Sequence, residues 1–385
     1  MRSLGFMREA LKERSAQERA LPNPMFTYRG MDEIEGSRFP NTQEKRFEFE
    51  QQFPWFGKRG LTGRIAAKDA EAVGLEYEAM VREVVAMVKE TYFELYAVQR
   101  ALSITHAEED LLKQMESVAL AKYGVGEVTQ QDVLKAQAEI SMLKVRWYEL
   151  EQQEVTLKAA LNRLINRRAD SPLGVAVTDP PRDLELQVEK LAALAEEVRP
   201  EVAQARVRIE RDQARRDLMN KEFWPDYRLG LEYRSVRSSP DMLMFSIGLD
   251  LPIWRAKYKA GAREAERMVE AGQADLEAAR QQVSFDVQSA HSKWRAALAT
   301  VDLYRTALIP QAEARFASSE AGYRTGQVGF LEFLESERFL LDARVMTVMA
   351  EGQLGMALAR LERAVGTDLK PGLTESIGPG PGKGE

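Results

Sequence analysis

The chain has 385 residues, 44% of them apolar and 30% charged, with a net charge of −6, two histidines and no cysteine. Such mild acidity lacks the clustered basic face that nucleic-acid binding needs, and without cysteine there are no disulfides, thiolate metal sites or cysteine nucleophiles. No run of about 18 apolar residues offers a transmembrane helix.

In chain order, a charged helix-prone stretch reaches about Arg19 and is broken by Leu21-Pro-Asn-Pro24. Two strands follow, predicted at 24–33 and 45–54. In them Phe26 and Tyr28 alternate with Thr27 and Arg29, and Phe47, Phe49 and Phe53 alternate with Arg46, Glu48, Glu50 and Gln52. Residues 57–168 read as a helical hairpin broken only at Gly124 and Gly126. Its first helix carries Val73, Tyr77, Met80, Val84 and Met87 in the four-three alternation of a coiled-coil seam. Residues 169–199 form a linker: a Pro- and Gly-rich loop, then helix resuming near Leu184.

Pro200 suits the first turn of the next helix, which runs to about Glu222. Strands are predicted at 225–236 and 242–251, joined by a turn at 238–241. A second helical hairpin covers 256–366. Its first helix, continuous to Gly322, carries the seam Val283, Val287, Ala290, Trp294, Ala297, Val301, Tyr304 and Leu308. Pro310 should kink that helix. The tail, 369–385, ends Gly-Pro-Gly-Pro-Gly-Lys-Gly-Glu and should be disordered.

This order repeats itself. Tyr123, Gly126, Val128, Asp132 and Leu134 are answered by Tyr323, Gly326, Val328, Glu332 and Leu334. Phe53-Pro54 is echoed by Leu251-Pro252, and Leu161 with Arg163 by Leu361 with Arg363. The chain is therefore a duplicated unit, 1–168 and 200–368. Aligned on its own second half, Met1 falls just after Pro200. A counterpart of about 172–200 and an export signal are thus expected upstream of it.

Each strand is about ten residues long, enough to cross a bilayer when tilted. Aromatic and aliphatic residues share one face, while Arg, Glu and Asp occupy the other. An isolated hairpin is marginal in water, and there is no other β structure for these strands to pack on. Four strands cannot close a barrel, which needs about eight, so other chains must pair the edges. Three copies would give twelve strands.

The string Gln52-Phe-Pro-Trp-Phe-Gly-Lys-Arg59, the kink Leu308-Ile-Pro-Gln-Ala312 and the tip Tyr323 to Leu334, in this order of elements, resemble the TolC family of outer-membrane efflux channels. Within it they are similar to the branch typified by CusC and CzcC, which serves heavy-metal resistance pumps. The resemblance implies a membrane α+β fold. A homotrimer would form a twelve-stranded β-barrel in the outer membrane, continued by an α-helical barrel in the periplasm. It implies an exit duct that passively conducts substrates, heavy-metal cations in this branch, from periplasm to exterior. The partners would be outer-membrane lipid, a periplasmic membrane-fusion adaptor and an inner-membrane pump of the RND type, with no nucleic acid and no cofactor.

By position, Tyr123, Gly126, Val128, Tyr323, Gly326 and Val328 would lie at the adaptor-docking tip. The family's two gate acids fall at Glu332 and Glu335. The first hairpin offers Asp132 and then Lys135. Where the family carries a gate-locking arginine, this chain has Val328. Independently of the resemblance, Glu332 and Glu335 are three apart and share a helix face. Three chains would bring them round one axis, as acidic rings stand in cation channels.

His106 and His291 each stand alone on a charged helical stretch and are expected at the surface, not as metal ligands. No Ser/His/Asp set, phosphate loop or metal cluster argues for an enzyme. The alternative reading, a poreless coiled-coil scaffold or adaptor of the envelope, leaves four bilayer-length alternating strands without a use.

Overall fold

The computed structural model describes residues 2–31, 44–177, 187–237 and 239–369. The expected disordered tail from 370, loop residues 178–186, positions 32–33 of the first strand and Ser238 of the predicted turn lie outside them. Eight α-helices and four strands are described: α1 (Arg2–Arg19), β1 (Met25–Met31), β2 (Glu44–Phe53), α2 (Lys58–Gly124), α3 (Gln130–Leu164), α4 (Val188–Val198), α5 (Pro200–Lys221), β3 (Asp226–Val236), β4 (Ser239–Asp250), α6 (Arg255–Leu303), α7 (Ile309–Arg324) and α8 (Phe330–Val365). Among the described residues no helix is long and apolar enough to cross a membrane.

Several predicted boundaries move, among them the end of α3, at Leu164 rather than 168, and two of the shifts have a plain physical cause. β4 begins at Ser239, ahead of the expected 242, because Val236 already pairs with Ser239 after a register shift at Arg234. Pro240 is admissible there because β4 is an edge strand. The helix expected to run unbroken to Gly322 instead widens into one π-helical turn, Tyr304–Leu308, ahead of Pro310. Pro310 has no N–H to give and its ring crowds the preceding turn. A five-residue step, Ile309 N–H to the Tyr304 carbonyl, makes the room.

The chain divides into two compact units that cut across the sequence repeats, each drawing on both halves. One comprises Met1–Met80 with Pro200–Gln281. It holds the sheet, ordered β1-β2-β3-β4 and antiparallel throughout. The register sets Phe26 opposite Phe49, Phe47 opposite Tyr233, Leu231 opposite Phe245 and Leu229 opposite Ile247. Because side chains alternate across a strand, these all fall on one face. That face is open, with Phe245 80% and Ile247 78% exposed.

The opposite face is a ladder of charge. Arg29 reaches Glu48 at 3.3 Å, Arg228 reaches Asp250 at 2.7 Å and Glu50 at 3.5 Å, and Arg234 reaches Glu44 at 2.6 Å. Among the described residues the outer edges of β1 and β4 have no partner strand. At the helix end of the sheet, Trp55 stacks on Trp224 at 5.2 Å and Phe53 on Tyr227 at 5.4 Å. Below them Lys58, 5% exposed, holds Asp226 at 2.8 Å. In the same unit α1 is tied to the start of α2 by Ser15 Oγ to the Gly63 carbonyl and Arg59 Nε to the Arg19 carbonyl.

The other unit comprises Val81–Arg199 with Gln282–Glu385. Its core contains much of the predicted α6 seam: Val283, Val287, Ala290, Trp294 and Val301 are buried. The α2 seam fares differently. Met87 is exposed, as is Met80 of the first unit, and Ala86, Leu95, Tyr96, Ala97, Val98 and Ala101 are among the buried positions. Close approach explains part of this. A Cβ at Gly355 of α8 would stand 2.3 Å from the Phe93 ring and one at Gly352 would stand 2.6 Å from the Ala97 Cβ, so bare backbone is needed there.

Candidate functional site

The two hairpin tips are built alike. Gly126 has φ +80 and Gly326 has φ +75, a region that glycine enters without steric cost. At the first tip Glu127 N–H donates to the Lys122 carbonyl at 2.9 Å and Gly126 N–H to that of Tyr123 at 3.0 Å. At the second, Gln327 N–H donates to Gly322 at 2.8 Å and Gly326 N–H to Tyr323 at 3.3 Å. This pair of bonds is the Schellman helix ending. The recurring glycine of the Tyr-x-x-Gly echo is therefore a helix stop.

Their tyrosines differ. Tyr123 is 46% exposed, whereas Tyr323 is 8% exposed. Tyr323 stacks on Phe333 at 5.1 Å and meets Phe330 at 5.7 Å, within a core that draws on α2, α3, α7 and α8. Burial pushes its phenol up from the ordinary tyrosine range, and the charges of Asp132 and Glu127 add to that. Val328 is half-buried against Gly322, where a Cβ would come within 2.4 Å of its Cγ2. Val128 is likewise half-buried, without a glycine behind it.

The acids diverge for a local reason. In the first hairpin Thr129 caps α3, and its N–H donates to Asp132 Oδ2 at 3.0 Å in a reciprocal capping box. Asp132 is thereby held at the helix end. In the second hairpin the cap is Gly329, which has no side chain to reciprocate. Glu332 and Glu335 are both exposed, and among the described residues neither makes an ion pair. Glu332 stands in the first turn of α8, where the helix dipole favours negative charge, and Glu335 follows one turn on.

α8 therefore has two opposed faces. Phe330, Phe333, Leu334, Leu340 and Leu341 are buried, while Leu331, Glu332, Glu335, Arg338 and Phe339 are exposed. One face anchors the helix, and the other leaves its carboxylates exposed.

α8 buries two acids, Glu351, which accepts from Arg305 Nε at 2.9 Å, and Glu337, which faces the buried Glu108 of α2. Glu337 is 2% and Glu108 6% exposed. Sequence reading misses Glu337 and Glu108, although Glu108 continues the spacing of Val98, Ala101, Thr105, Leu112 and Met115, all buried on α2. A charge inside an apolar four-three seam is the signal. Of the histidines, His106 is exposed as expected and stacks on Trp147 at 6.1 Å. His291, expected at the surface, is buried beside Trp294 because it lies next to seam position Ala290. No group of three or more potential metal-ligating residues occurs among the described residues.

The sequence model of the family described as outer membrane efflux protein matches residues 1–167 and 191–367. The chain is 22% identical over 357 residues to the cobalt-zinc-cadmium resistance protein CzcC of Cupriavidus metallidurans, an alignment covering 91% of this chain and 82% of CzcC. Its fold is similar to the crystal structure of CusC, with a TM-score of 0.81 at 17% identity over 95% of this chain and 86% of that one. It is also similar to the outer membrane protein VceC of Vibrio cholerae, with a TM-score of 0.77 at 17% identity over 96% and 92% of the two chains.

Proposed function

The chain belongs to the outer membrane efflux protein family and is an outer-membrane protein, and from that premise we propose that it is the exit duct of a tripartite pump. Three copies close a twelve-stranded barrel by pairing β4 of one with β1 of the next, and their helices line a periplasmic tunnel. The duct conducts passively, and its cargo is heavy-metal cations. The tips around Tyr123, Gly126, Val128, Tyr323, Gly326 and Val328 receive a periplasmic membrane-fusion adaptor, which joins the duct to an inner-membrane pump of the RND type.

The observation that carries this reading is the sheet. Among the described residues it has two unpaired edges, with one open apolar face suited to lipid and one face of paired charges suited to water. No soluble scaffold requires that combination. Similarity to CzcC supports metal cations as cargo. The exposed carboxylates of α8, gathered from three chains, would draw cations to the periplasmic mouth and repel anions.

Deleting the gene should reduce tolerance to cobalt, zinc or cadmium, and reintroducing it should restore tolerance. Unchanged metal tolerance with lost tolerance to apolar drugs would reassign the cargo and leave the duct reading intact.

A further inference from the structure

The carboxyl of Glu337 is enclosed by protein. It faces Glu108 across the seam of α8 and α2, its Oε1 makes no hydrogen bond, and it borders a cavity of about 110 Å3 whose apolar wall is Leu112, Leu143 and Leu341. The charged groups around it come from every neighbouring helix. α2 supplies Glu108, α3 supplies Glu139 and Arg146, and α8 itself supplies Arg338 and Asp342.

Both arginines are already engaged, Arg146 with Asp342 at 2.9 Å and Arg338 with Glu139 at 3.5 Å. On α7, Glu313 is reached by Arg344 at 3.8 Å and Arg315 lies over the Phe339 ring at 5.2 Å. Two adjacent buried carboxylates without a committed cation cannot both stay ionised.

We propose that packing α8 against α2 and α3 takes up a proton at the Glu108–Glu337 pair, so that acid tightens this helix seam and alkali loosens it. The proton sits on Glu337 and is donated toward Glu108, joining the first hairpin to the second on the buried side of the helix that carries Glu332 and Glu335. Burial pushes the Glu337 carboxyl up to about 10. Its hydrogen bond to Glu108 and the charges of Glu108, Glu139 and Asp342 act in the same direction.

The sign follows. A carboxyl of ordinary value when released and of raised value when packed favours packing fully below about 4.5. That advantage then falls as pH rises toward about 10. Across this window each pH unit changes the ratio of packed to released helix about tenfold per chain. Neutral pH lies inside the window, so modest acidification of the surroundings is enough to act.

The test uses the full chain purified in detergent or lipid. Infrared spectra near neutral pH should show the carbonyl stretch of an un-ionised carboxylic acid, lost in Glu337→Gln. Absence of that band in the wild type overturns the proposal. Thermal midpoints compared from about pH 5 to about pH 9 should fall for the wild type relative to Glu337→Gln, because glutamine keeps a donor and removes the titration. Parallel profiles overturn it as well. If Glu337→Gln fails to fold, loss of the wild-type band only on strong alkalinisation supports the proposal, and its loss at mild acidity refutes it. Neither readout involves ion conduction, so failure here leaves the exit-duct reading untouched.

Discussion

The ammonium of Lys122 lies 4.5 Å from the ring centroid of Tyr323, so the last turn of α2 covers the buried aromatic that ends α7. Two residues one position apart in the sequence echo thus meet across the hairpins. Tyr323 joins the tips, and its counterpart Tyr123 remains on the surface.

Tyr323→Ala should accordingly cost about 3–5 kcal/mol by removing a buried ring from the core it shares with Phe330 and Phe333. Tyr323→Phe should be neutral or stabilising, because the hydroxyl is buried without a hydrogen-bond partner. Tyr123→Ala should stay within about 0.5 kcal/mol. Thermal unfolding of the three variants checks this, and equal losses at Tyr123 and Tyr323 would contradict it.

The two faces of the sheet make opposite predictions. Ile247→Arg places a charge on the open apolar face and should lower the yield of folded protein in outer membranes, at about 2–4 kcal/mol near mid-bilayer. Met244→Arg lies on the other face, opposite Glu232, and should insert normally. Comparable insertion of both variants would mean that the apolar face does not meet lipid.

Asp226 accepts both Lys58 Nζ at 2.8 Å and the Trp55 backbone N–H at 2.7 Å. Asp226→Ala would strand the Trp55 amide and leave the Lys58 ammonium only the Trp224 carbonyl at 3.2 Å and Glu222 at 3.5 Å, which should cost about 1–3 kcal/mol. The readout is the temperature at which the detergent-extracted protein loses its folded mobility on a gel. An unchanged transition would show that water replaces the carboxylate freely.

Gly126 and Gly326 have open space where a Cβ would stand, so alanine there should act through backbone strain alone, about 1–2 kcal/mol at each tip. Faster hydrogen exchange at the amides of Glu127 and Gln327 would register the loss. Equal exchange in variant and wild type would remove the helix-stop role.

These residues also show what was legible in advance. Alternation exposed all four strands because a two-residue period is scarcely imitated in a chain this helical, and Gly126 and Gly326 announced the tips because only glycine accepts their φ so readily. The π turn was hidden because Pro310 demands relief without specifying whether a helix bends or widens. The unequal fates of Asp132 and Glu332 depend on the caps Thr129 and Gly329, three residues earlier, rather than on the acids. Periodicity marked Met80 and Met87 as a seam, yet both are exposed in this chain. Glu108 and Glu337 sat in plain seam positions, disguised by a charge that is ordinarily solvated.

The central claim, a conducting duct with an acidic mouth, is tested most directly by single-channel recording of the purified protein in planar bilayers under a salt gradient. Discrete conductance steps with a cation-favouring reversal potential are predicted, with the preference reduced in the double variant Glu332→Gln, Glu335→Gln. Folded protein that inserts yet passes no current, or whose ion preference is the same with and without those carboxylates, would contradict the account.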